Sequence, residues 1–91
     1  MLDWTMGLDL VEIVMRTEEE FDIEISDPEA EAIKTPGELI NFVKTRPEVV
    51  RQELKEEEIR NRIWSILEDE LGIKREEWTD NSRFIEDMNA G

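Results

Sequence analysis

The sequence predicts an all-α protein, a bundle of four amphipathic helices, and three observations carry that prediction. Apolar residues recur at three- and four-residue steps between Leu8 and Phe21, between Leu39 and Val43, and between Ile59 and Leu71. Asp27-Pro28 and Thr35-Pro36 are helix starts, a capping side chain followed by a proline in the first turn. Gly72 closes the longest periodic stretch and suits a C-terminal cap. The stretch from Phe21 to Ile25 alternates apolar and polar residues, but no second segment could pair with it. It reads as an extended loop.

Each element follows in order. Residues Met1 to Met6 form a short lead containing Trp4. The first helix turns Leu8, Val11, Val14, Met15 and Phe21 inward and places Asp9, Glu12, Arg16, Glu19 and Glu20 mostly on the other side. The second, Pro28 to Ile33, is little more than a turn, with Asp27 as its cap. Thr35 and Glu38 have the spacing of a capping box, and Leu39, Ile40 and Val43 give the third helix its apolar stripe. Nothing between Pro47 and Leu71 interrupts a helix. Between Arg51 and Glu58 only Leu54 is apolar, so residues 48–56 read as a connector, helical and poorly buried. Ile59, Ile63, Ile66, Leu67 and Leu71 form a stripe flanked by Trp64. Beyond Gly72 a polar loop carries Ile73 and Trp78, and Phe84, Ile85 and Met88 point inward from a last short turn. Four one-faced segments can bury themselves only against one another.

Composition excludes several classes of function. With 91 residues the chain fits one small domain, 1–91. It has no cysteine and no histidine, which removes disulfides, thiolate metal sites and the commonest general base. Twenty-five acidic residues against 11 basic ones give a net charge of -14. Nucleic acid and anionic lipid are repelled by such a surface, whereas a basic protein surface is attracted. No apolar run approaches the ~20 residues of a membrane span, and no basic-then-apolar leader opens the chain. A cytoplasmic protein is the expectation.

Two stretches resemble halves of the acyl carrier protein family in reversed order. Leu8 to Ile25, with its Glu18-Glu19-Glu20-Phe21 run, is similar to that family's second helix and the loop after it. Asp27 to Ile33 resembles its short third helix, and Thr35 to Val43 its fourth. The family's first helix comes last, as Glu57 to Gly72. It is followed by Lys74 to Met88, which resembles the family's long loop ending in Phe-x-Glu-Asp-Leu. On this reading residues 7–46 hold the second to fourth helices, 47–56 the connector, and 57–91 the first helix with its loop.

The resemblance implies a carrier of acyl chains on a phosphopantetheine arm, attached to a serine at the start of the second helix. This sequence reads Met6-Gly7-Leu8-Asp9 there, so Gly7 stands at the serine position and offers no hydroxyl. Thr5 lies two residues early. Ser26 reads as a turn or cap, Ser65 as a helix position and Ser82 as a loop position. No cofactor is therefore expected. The resemblance also implies that the acidic second helix meets basic surfaces of acyl-carrier-dependent enzymes; the corresponding residues are Asp9, Glu12, Glu19 and Glu20, with Asp22 and Glu24 just beyond.

The remaining acidic runs, Glu56-Glu57-Glu58 and Glu68-Asp69-Glu70, are hydrophilic, and solvated carboxylates do not make an acid–base pair. None has the spacing of a calcium loop, and no metal site is expected. Trp78 reads as core, Trp64 as core or edge packing, and Trp4 as a residue free to touch a partner or another subunit.

The expected function is an acidic, non-enzymatic, acyl-carrier-like interaction module that has lost its attachment serine. The alternative is a genuine carrier of fatty-acid or polyketide metabolism, modified at another hydroxyl, altered at Gly7, or cut out of register from a tandem array. The connector leaves one further choice. Continued as helix from Pro47, it carries the last helix away from its own chain and favours a domain-swapped homodimer; unwound near Arg51, it permits a monomer. Its Glu- and Arg-rich sequence favours the helix.

Overall fold

The structure, a computed structural model, describes residues 8–84 and 87. Those residues form five α-helices and one 3₁₀ turn, with no strand: α1 Leu8–Phe21, α2 Asp27–Ala32, α3 Pro36–Lys44, α4 Pro47–Val50, α5 Glu56–Leu71 and the turn Arg75–Glu77. The all-helical expectation holds. Ile85 and Met88, expected to point inward, lie outside the described residues, as do Trp4 and Gly7.

The inner face of α1 differs from the expected stripe. Leu10, Ile13, Val14, Thr17 and Phe21 are buried, while Val11 is half-buried and Met15 is 50% exposed. Both sets recur at three- and four-residue steps, so spacing alone does not separate them. The two sets share Val14 and Phe21, and packing against the other helices selects the one with Leu10, Ile13 and Thr17. Thr17 is tolerated in the core because its hydroxyl donates to the Ile13 carbonyl at 2.8 Å. Helix α1 ends where Asp22 turns left-handed at φ 54, and the Ile23 N–H reaches back to the Glu18 carbonyl at 3.1 Å. The following loop is extended, with Ile23 and Ile25 buried and Asp22 and Glu24 exposed.

The cap of α2 is Ser26, not Asp27. Its hydroxyl accepts from the Glu29 N–H at 3.3 Å, and the Glu29 carboxylate accepts from the Ser26 N–H at 3.0 Å, a complete capping box. In α3 Thr35 caps the Glu38 N–H at 3.2 Å as expected. The Glu38 carboxylate, however, takes the Lys34 N–H at 2.8 Å, one residue earlier than a closed box would require.

The connector is where the fold departs most from expectation. Only Pro47–Val50 is helical; Arg51 to Glu53 turn, with Glu53 left-handed at φ 56, and α5 begins afresh at Glu56. Most of residues 48–56 stands in solvent, with Val50 59% exposed, while Val49, 1% exposed, and the half-buried Leu54 anchor the connector to the core. Helix α5 consequently folds back and packs along α1 and α3 of its own chain. The continuous helix that favoured a swapped dimer does not form. Ile59, Ile63, Trp64, Ile66 and Leu67 are buried there, and Gly72 supplies the left-handed cap at φ 64.

The last described segment straps across α3 and α5. The Gly37 N–H donates to the Asp80 carbonyl at 2.9 Å, and a Cβ at Gly37 would sit 3.0 Å from that oxygen, so glycine alone fits without moving the strap. Arg60 pairs with Asp80, the Phe84 N–H donates to the Lys34 carbonyl at 2.9 Å, and Phe84 is buried. Trp78 packs against the core as a half-buried side chain.

Candidate interaction face on the first helix

With Leu10, Ile13, Val14, Thr17 and Phe21 inside, helical geometry puts Glu12, Met15 and Glu19 on the crest of α1. All three are exposed. Asp9, Arg16 and Glu20 lie along the flank, where Arg16 and Glu20 meet α5. Arg16 bridges Asp69 at 2.9 Å and Glu70 at 3.1 Å, and Arg62 of α5 lies 3.6 Å from Glu20. Glu12 also faces Glu70: a hydrogen bond to that carboxyl, then its charge, holds Glu12 above the ordinary carboxylate range. Two arginines, Arg16 of α1 and Arg62 of α5, thus answer carboxylates across the α1–α5 seam.

Of the six acidic residues singled out from sequence, Asp9, Glu12, Glu19 and Glu20 share this helix. Asp22 and Glu24 do not. Asp22 is exposed but its backbone has a task, ending α1. Glu24 lines a separate open cleft of about 660 Å³ with Glu18, Ile25, Ser26, Asp27, Pro28, Glu29 and Arg46. Glu18 was not singled out, yet its carboxylate accepts the Ile25 N–H at 2.8 Å and fixes the loop after α1. Arg16 and Met15 were likewise missed as features of the face. The sign of Met15 was its spacing, three residues after Glu12 and four before Glu19, which puts all three on one side of the helix.

The hydroxyls of the described residues were tested as sites for a phosphopantetheine arm. Thr17 is buried and bonded to Ile13. Ser26 and Thr35 cap helices, Thr45 donates to the carbonyls of Asn41 and Phe42, and Thr79 and Ser82 organise one turn. Ser65 is exposed in the middle of α5, away from the free amides of a helix N-terminus that suit a phosphate. Ser26 and Thr35 do stand at helix N-termini, but each hydroxyl donates to a carboxylate, of Glu29 at 2.8 Å and of Glu38 at 3.4 Å, whose charge opposes a phosphate. None of these residues therefore fits the group. Among the described residues no cluster of three or more acidic, histidine or cysteine side chains could hold a metal ion, and no helix is long and apolar enough to cross a membrane.

Comparison with known proteins gives partial matches. Over 42 residues, 46% of this chain and 54% of the relative, it is 49% identical to an acyl carrier protein of Clostridium acetobutylicum. Over 40 residues, 44% of this chain and 51% of the relative, it is 51% identical to an acyl carrier protein of Chlamydia felis. The chain spans about half the length of these curated relatives. No family model and no solved structure matches it. Taken with an all-helical fold, the two matches support a relationship to the acyl carrier proteins.

Proposed function

We propose that this chain is an acyl-carrier-like interaction module, not an enzyme, which docks through α1 on basic surfaces of acyl-carrier-dependent enzymes and bears no phosphopantetheine. Both matched relatives are named as carriers rather than catalysts, which supports the non-enzymatic reading. The observation that carries the docking proposal is the crest of α1, where Glu12 and Glu19 stand in solvent on either side of the half-exposed Met15. Charges at such a rim steer encounter and choose partners, while the apolar side chain between them gains from being covered. Absence of the arm follows from Gly7, the residue at the serine position, which has no nucleophile. The reversed order of the two halves belongs to the same proposal. It is supported by α5, which lies against α1 and α3 as a displaced first helix would have to.

The test is association kinetics with an acyl-carrier-dependent enzyme. Glu12→Lys with Glu19→Lys should slow association and flatten its dependence on salt, with helical content unchanged. Equal rates for the variant and the parent chain would refute docking through this face.

A further inference from the structure

We infer that the connector of residues 51–55 is a latch that holds α5 on its own chain, and that releasing it hands α5 to a second copy of the protein. The local sequence argues against the turn it makes. Arg51, Gln52, Glu53, Leu54 and Lys55 include no glycine, proline or asparagine, and all are good helix formers. Yet Glu53 is left-handed at φ 56, a conformation that suits glycine rather than a residue with a Cβ. Something outside the segment holds it there.

The structure shows what does. The Gln52 side-chain amide donates to the Phe21 carbonyl at 3.0 Å, at the C-terminal end of α1, and to the Glu48 carbonyl at 3.2 Å. It therefore ties the turn to a helix 31 residues earlier. Lys44 and Glu56 meet at 2.6 Å and bridge α3 to the first turn of α5. With the tie in place the chain reverses and α5 drops between α1 and α3. Without it, helical preference joins α4 to α5 and carries α5 away from that groove. A second copy offers the same groove, and reciprocal exchange closes a twofold dimer. Contacts of α5 with the groove are the same in both forms. The connector's own contacts, the Gln52 tie together with the anchoring of Val49 and Leu54, therefore decide between them.

Two opposed variants test this, with light scattering across a concentration series. The unaltered chain stays monomeric. Gln52→Ala with Glu53→Ala removes the tie and favours helix, and raises the dimer fraction about tenfold at equal concentration. Glu53→Gly relieves the left-handed residue and stays monomeric. Exchange is distinguished from simple association with Arg16→Cys and Asp69→Cys, joined by a short bis-maleimide; the chain has no other cysteine. These positions bridge α1 and α5, so exchanged molecules give covalent dimers on a denaturing gel and closed ones do not. A folded double variant that remains monomeric overturns the inference, as does a dimer cross-linked only within chains, or equal dimerisation of Glu53→Gly. Gln52→Ala alone carries the same test if the double variant does not fold.

Discussion

Asp22 shows how one residue can be read for the wrong property. In sequence it is one more negative charge at the end of an acidic helix. In the fold its φ of 54 lets α1 stop and sends Ile23 and Ile25 into the core. A glycine adopts that conformation without roughly 1–2 kcal/mol of left-handed strain, offset by the cost of its freedom in the unfolded chain, about 0.5–1 kcal/mol. Asp22→Gly should therefore raise stability slightly, whereas Asp22→Val should lower it. Chemical denaturation of the two variants checks both signs. If charge were its only contribution, the two would shift stability alike. Gly72 and Thr35 were legible from sequence because glycine and threonine at helix ends each have one dominant use. Asp22 was not, because aspartate is common at caps, in turns and on acidic surfaces. Ser26 was legible only as a turn or cap, since the adjacent Asp27 competes for the same position.

Elements are recognised by spacing, and α1 marks the limit of spacing. Between Leu8 and Met15 six of eight residues are apolar, so two faces fit a helix equally well and only the neighbouring α5 chooses. That choice sets the electrostatics of the seam. Glu12 is brought against Glu70 and held above the ordinary carboxylate range. Glu56, by its hydrogen bond and charge pairing with Lys44, and Glu29, by its bonds to Ser26, are held below it. The signs oppose one another. A carboxyl held low stabilises the fold above its unfolded value, and that contribution fades as pH falls through its folded value; one held high stabilises only in acid and loses this as pH rises. Glu12→Gln should therefore stabilise the protein at neutral pH, with the gain shrinking in mild acid as Glu12 of the parent protonates. Glu56→Gln should destabilise at neutral pH and converge on the parent in acid. Thermal unfolding of both variants across pH reads the two trends, and parallel curves would contradict them. The approach of Glu12 to Glu70 was not legible beforehand, because it depends on which faces of α1 and α5 meet, and the Lys44–Glu56 pair depends on the reversal before α5.

For the whole molecule, the helical class and the likeness to acyl carrier proteins were legible in the chain, while its closure was not. Five helix-forming residues between α4 and α5 concealed a reversal imposed by Gln52 and by burial of Val49 and Leu54. Local preference lost to tertiary contacts there, as it does wherever a turn lacks turn residues. The central claim is that a module of carrier type docks without carrying. Intact-mass measurement after incubation with coenzyme A and a broad-specificity phosphopantetheinyl transferase tests it most directly. The unaltered chain should keep its mass, and a Met6→Asp, Gly7→Ser variant should gain the arm. Stoichiometric labelling of the unaltered chain would contradict the account.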